Sequence, residues 1–126
     1  MINITIYDYP ESGTLSLKVE GHADSAEYGH DLVCAAVSTL TYTLAQAVMV
    51  ANTEKKLKKR PRIKLEEGAS HVIVKPKDGA YAEMKHAYYV VGLGFSLLAT
   101  NYPPFVGMTL FGNPIEGNNI TNESQA

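Results

Sequence analysis

Two hydrophobic periods meet within the first half of this chain, and together they leave few folds open. Ile2, Ile4 and Ile6 alternate with Asn3, Thr5 and Tyr7, and Leu15, Leu17 and Val19 alternate with Ser16, Lys18 and Glu20. A period of two is that of a strand with one buried face. Turn-forming residues from Pro10 to Gly13 separate the runs, so the spacing predicts a hairpin ending at Gly21. From Leu32 onward the period lengthens: Val33, Ala36, Val37, Leu40, Leu44, Ala47, Val48 and Ala51 fall on one helical stripe. This helix is predicted to end before Pro61. Lys55, Lys56, Lys58, Lys59 and Arg60 then stand in its last turns, where cations suit the negative end of the helix dipole.

The second half repeats the order. Ile63 to Leu65 and His71 to Lys75 read as a second hairpin around Glu66, Glu67, Gly68 and Ala69, with a break from Pro76 to Gly79. A second helix carries Met84, Ala87, Tyr88, Val91, Phe95, Leu98 and Ala99 on one stripe and stops at Pro103-Pro104. Its Gly92 and Gly94 each cost roughly 1 kcal/mol relative to alanine, which points to close packing or a ligand's approach. Val106, Met108 and Leu110 form a closing strand. Two helices with one apolar stripe each, and about five alternating strands, predict an α+β two-layer sandwich with an antiparallel or mixed sheet. The domain is expected to span residues 1–111. Residues 112–126 are polar and aperiodic and are expected to be disordered or loosely attached.

Composition narrows the class. A single domain of 126 residues with 45% hydrophobic content can bury roughly two thirds of its unfolded surface. One cysteine forms no internal disulfide, and the N-terminus MINITIYDYP lacks a basic leader and an apolar core. The most apolar stretch, Tyr88 to Ala99, is too short to span a bilayer and is broken by Gly92, Gly94 and Ser96. These features predict a cytoplasmic protein with no membrane contact.

Cys34 is the residue best placed for chemistry. The segment GHADSAEYGHDLVCAAVS runs from a strand end at Gly21 and His22, through a loop bracketed by Gly21 and Gly29, into the long helix. A helix N-terminus and a nearby imidazole are what most readily produce a thiolate near neutral pH. With Asp31 as N-cap, Cys34 falls in the first turn, where free N–H groups stabilise an anion or receive an oxyanion. Ser38 lies one turn later on the same face, where its hydroxyl serves substrate or bonds back to the Cys34 carbonyl. The alternative for Cys34 is a small buried hydrophobe among Val33, Ala35, Ala36 and Val37.

Gly21, His22, Ala23, Gly29, Asp31, Val33, Cys34, Ala35, Ala36, Val37 and Ser38 together resemble the signature of the ribosomal-processing cysteine proteases, the Prp family. The resemblance covers the order of elements over residues 1–111. It implies a catalytic dyad of Cys34 and His22, with Asp31 and Ser38 as supporting residues and no cofactor or metal. Asp31 then either orients His22 or caps the helix. The resemblance further implies removal of a short N-terminal extension from a large-subunit ribosomal protein, after a phenylalanine-containing apolar motif. It also implies a homodimer. Tyr28, Tyr88, Tyr89 and Phe95 are candidates for an apolar substrate groove, although aromatics at helical spacing favour the core. Asp24 and Ser25 depart from the family's usual wording in the loop. His30, an extra histidine beside Asp31, reads as an exposed loop residue.

Two other functions are open on the sequence. Lys55, Lys56, Lys58, Lys59, Arg60, Arg62 and Lys64 form a local basic patch suited to a ribosome- or RNA-associated module. Against it stand a formal net charge of -2 and the absence of interleaved aromatics, so direct nucleic-acid binding is not expected. A metal site on Cys34, His22 and His30 lacks the paired Cys and His spacings of structural zinc.

Overall fold

The computed structural model describes residues 1–22 and 29–116. Its strands are β1 (Ile2–Tyr9), β2 (Thr14–Glu20), β3 (Arg62–Lys64), β4 (Ala69–Val74), β5 (Val106–Leu110) and β6 (Asn113–Pro114). The helices are α1 (His30–Thr53) and α2 (Tyr81–Asn101), the latter preceded by a short 3-10 turn at Asp78–Ala80. The sheet order is β3-β4-β2-β1-β5-β6, mixed because β1 and β5 run parallel while the other neighbours are antiparallel. The fold is the predicted α+β sandwich, with six strands rather than five.

The period-two residues do what their spacing predicts. Ile4 pairs with Val19 and Met108, and Leu17 pairs with Ile6 and Val72, so one sheet face is continuously apolar. Both helices cover that face. Ile6, Leu15, Leu17, Val33, Leu44, Val48, Val72, Tyr88 and Phe95 are fully buried between the layers. The α2 glycines are packing glycines. A Cβ on Gly92 would come within 2.6 Å of Leu110, and one on Gly94 within 2.9 Å of Leu40 on α1. Tyr88 and Phe95 belong to the core, whereas Tyr89 faces outward and Tyr28 lies outside the described residues. Tyr81 hydrogen-bonds Asp8, tying the start of α2 to β1. Burial and that carboxylate push its phenol up to about 12.

Several boundaries differ from the sequence reading. The helix α1 starts at His30 and is capped by Gly29, not Asp31. It ends at Thr53, so no basic residue occupies its last turn. The stop is a Schellman closure without glycine: Lys56 N–H bonds to Ala51 O at 3.0 Å, Lys55 N–H to Asn52 O at 3.1 Å, and Lys55 takes φ 61. Along α1 the buried stripe includes Thr41 and Ala45, while Ala47 is exposed. The strand β6 falls inside the segment read as a tail. Phe111 (φ 48) and Gly112 (φ 82) form a two-residue turn returning the chain onto β5. The expectation for residues 117–126 lies outside the described residues. By length and composition alone α1, rather than the stretch from Tyr88 to Ala99, is long and apolar enough to cross a membrane. Its apolarity has a local cause, because Leu32, Tyr42, Met49 and Val50 are exposed on the side away from the buried stripe.

Candidate active site

Three elements converge at one end of the sandwich: the exit of β2, the start of α1 and the turn from β3 into β4. Gly21 leaves β2 at φ 93, and a Cβ there would strike the Met1 carbonyl oxygen. Its N–H donates to Gly68 O at 3.0 Å, and the Met1 amino group donates to His22 O at 2.7 Å. Only glycine adopts this conformation without strain beside such a neighbour, so Gly21 fixes where the next residue goes. The His22 ring then lies on Gly68. A Cβ on Gly68, itself at φ +79, would come within 2.5 Å of His22 Cε1 and Nε2. Gly68 was legible only as a turn residue; its role as a seat for His22 depends on the β2–β4 register.

Gly29 enters α1 in the left-handed region, φ 95, with the Tyr102 ring 3.6 Å from where a Cβ would stand. The first helical bond is Val33 N–H to Gly29 O at 3.0 Å, leaving the preceding N–H groups without intrahelical acceptors. Cys34 is the fifth residue of the helix, in the ladder rather than in the free first turn. The predicted thiolate stabilisation by free N–H groups therefore does not reach it. Its thiol is pushed up from the ordinary value, by burial first and then by Asp31 and Glu67. A protonated thiol needs a base to become a nucleophile.

Cys34, His22, His30, Ser38 and Gly21 line one cavity of about 580 Å³, with Glu66, Glu67 and Gly68 on another wall and Ile2, Val19 and Val37 supplying apolar surface. That volume is in the range of sites for small ligands or a few peptide side chains. Asp31 and Gly29 are not in its lining. The Asp31 carboxylate is fully exposed and pairs with His30 Nδ1 at 3.2 Å. His30, read as an exposed loop residue, is half-buried at the head of α1. Its Nε2 lies 3.8 Å from Cys34 Sγ, and its ring is edge-on to Phe105. Among the described residues the Ser38 hydroxyl makes no hydrogen bond, although Thr39, Thr41 and Thr43 all bond back to the carbonyl four residues earlier. Its hydroxyl is open to the cavity.

Three of the seven residues of the basic segment are held in surface ion pairs. Lys56 pairs with Glu54 and Glu83, Lys58 with Asp78, and Lys64 with Glu66. Arg62 and Lys64 belong to β3. No group of three His, Cys, Asp or Glu residues suited to a metal ion occurs among the described residues.

Comparisons with known proteins agree on one family. Its model, described as cysteine protease Prp, matches residues 1–106. The ribosomal processing cysteine protease Prp of Staphylococcus aureus is 31% identical over 77 residues, which is 61% of this chain and 66% of that protein. That of Bacillus subtilis is 44% identical over 50 residues, 40% of this chain and 45% of that protein. The chain thus spans just under two thirds and just under half of these curated relatives. Among solved structures, the S. aureus essential ribosomal processing protease Prp in complex with a substrate peptide shares the fold. Its TM-score is 0.63 at 22% identity, over 87% of this chain and 99% of that one. A Streptococcus mutans protein gives a TM-score of 0.61 at 30% identity, over 88% and 94%. With the family's pattern running from β1 to the start of β5, through the helix and cavity that hold Cys34, the chain belongs to the cysteine protease Prp family.

Proposed function

We propose that the protein is a cysteine endopeptidase that removes the short N-terminal extension of a large-subunit ribosomal protein during ribosome maturation. The observation that carries this reading is the opening of Cys34, His22 and Ser38 onto a single cavity of about 580 Å³ with apolar surface beside the sulfur. The names of the relatives support the same reading, as does the substrate peptide bound by the S. aureus protein. Cys34 Sγ attacks the scissile carbonyl, an imidazole of the cavity takes the thiol proton, and the imidazolium returns it to the leaving amine. The resemblance assigns that role to His22. Water then hydrolyses the thioester. Backbone N–H groups near the start of α1 are the proposed oxyanion donors, and such a donor is worth about 3 kcal/mol in other acyl-transfer enzymes. Ser38, with its hydroxyl open to the cavity, is a donor to substrate.

Maturation of ribosomes places the proposed activity in the cytoplasm. A homodimer is the proposed assembly, supported by Tyr89, Val90, Leu93 and Leu97 exposed along α2. Light scattering that shows a monomer at working concentration would remove it. The test of the activity is incubation of wild-type protein, Cys34→Ala and His22→Ala with a peptide spanning the extension junction of the host ribosomal protein, read by mass spectrometry. One cut following phenylalanine, lost in both folded variants, is expected. No cut by folded wild-type protein would reject the activity.

A further inference from the structure

We propose that the open face of the sheet binds single-stranded nucleic acid, with Lys18, Arg62, Lys64 and His71 against its phosphates and Tyr7 and Tyr9 under its bases. The inference stands apart from the protease reading. Both helices cover the apolar face of the sheet, and none of these six side chains lines the cavity that holds Cys34. Successive residues of a strand point to opposite faces, so the residues that alternate with the core set stand together on the other side. Lys18 pairs with Thr5 on β1 and with His71 on β4, and His71 pairs with Lys64 on β3. Three basic side chains thus stand abreast across three strands, within about 10 Å at the usual strand spacing. The neighbouring row runs through Tyr7, Ser16, Ile73 and Arg62. Tyr9 follows Tyr7 on the same face; both are exposed, and their ring centroids are 4.6 Å apart.

Such a row is unfavourable without a partner, because like charges directly opposite one another on a sheet repel. Burial first, and then Arg62, Lys64 and Lys18, push the His71 imidazole below its ordinary value, as that closeness requires. Among the described residues Lys64 has an acidic partner, Glu66 at 3.5 Å, while Lys18 and Arg62 have none. The strands place one carboxylate on this face, Glu20, a row away and opposite Ala69. The whole chain carries a formal net charge of -2, so the positive charge is concentrated here. Phosphates laid along the row remove the repulsion. Exposed aromatic rings beside cations are the platform on which unpaired bases stack, with little regard to sequence. An anionic membrane fits this face less well, since the one aliphatic side chain of the two rows, Ile73, is half-buried. The basic run from Lys55 to Lys64 has no aromatics of its own; β1 supplies them through the strand order.

The test is fluorescence anisotropy of the full chain with a labelled oligoribonucleotide of roughly twelve nucleotides and with its deoxy counterpart, across a salt series. Wild type binds, and log K falls against log salt with a slope of about -2, the value for three phosphate contacts on a single strand. The tighter of the two oligonucleotides identifies the strand as RNA or DNA. Lys18→Gln/Arg62→Gln weakens binding by roughly tenfold or more and flattens the slope to about -0.7. Lys55→Gln/Lys77→Gln makes the same change in net charge beside the end of α1 and leaves binding as it was. Tyr7→Ala weakens binding roughly tenfold, and Tyr7→Phe restores it. Phosphates beside His71 favour its charged form, so the complex holds more protons than the free protein, and affinity rises as pH falls through the His71 titration. His71→Gln loses that rise. Cleavage of a junction peptide by Lys18→Gln/Arg62→Gln stays at the wild-type rate, which keeps a failure of the protease reading distinct from a failure of this surface. No binding by folded wild type, equal weakening in Lys55→Gln/Lys77→Gln, or preference for duplex RNA or phosphatidylserine vesicles with Tyr7→Ala unaffected would overturn the proposal.

Discussion

Replacing Gly68 by alanine tests whether the seat under His22 matters to function rather than only to folding. The new methyl would sit 2.5 Å from His22 Cε1 and Nε2. To reach ordinary carbon contact the ring must retreat by about 1 Å. His22 is exposed, so it moves aside rather than straining the core. The separate cost is conformational. Gly68 sits at φ +79, and a residue with a Cβ loses about 1–2 kcal/mol there. A domain of this size should then melt roughly 4–8 °C lower, which calorimetry resolves. Displacing a catalytic group by about 1 Å costs on the order of 10²-fold in rate, so kcat/KM on a junction peptide falls by that factor. Gly13→Ala is the matched control, because Gly13 has φ +68 and nothing within 4 Å of its Cβ position. It should lose similar stability and keep full activity. Should Gly68→Ala cleave at the rate of Gly13→Ala, the seating of His22 on Gly68 has no catalytic role and the reasoning fails.

Two further outcomes are expected. Tyr88→Phe removes a buried hydroxyl that donates to Val72 O at 2.9 Å, and should cost about 1 kcal/mol by denaturant unfolding, with the m-value unchanged. Glu67→Gln removes a negative charge that, after burial and Asp31, holds the Cys34 thiol above its ordinary value. Its loss favours the thiolate, so the alkylation midpoint moves to lower pH. An upward move would contradict the sign.

The elements most legible in the sequence were those whose pattern repeats. Ile2, Ile4 and Ile6 declared one face of β1 without reference to any partner, and Leu15, Leu17 and Val19 did the same for β2. Boundaries set by backbone geometry were harder to read. The end of α1 looked open as far as Pro61 because its Schellman closure uses Lys55 instead of glycine. The short β6 carries no alternation, and its one local cue is Gly112 in a turn with both central residues at positive φ. Residue type alone favours Asp31 as N-cap. Gly29 holds the position because its left-handed backbone starts the helix one residue after it, against Tyr102. The site shows the same division. The chain order from His22 to Cys34 placed both on one loop-to-helix segment, and they line one cavity. What sequence spacing missed was contributed by distant segments. Gly68 meets His22 through the β2–β4 register, and Phe105, beyond α2, packs on His30. Neither contact has a local signature.

Covalent capture tests the central claim most directly. Protein mixed in excess with a junction peptide and quenched in acid within the first turnover should show, by intact mass and peptide mapping, the N-terminal extension attached through its new C-terminal carbonyl to Cys34 as a thioester, with the C-terminal product released. The folded Cys34→Ala variant should form no adduct and no product. Cleavage by Cys34→Ala at the wild-type rate, or an adduct mapped to any other residue, would contradict the assignment of Cys34 as the nucleophile.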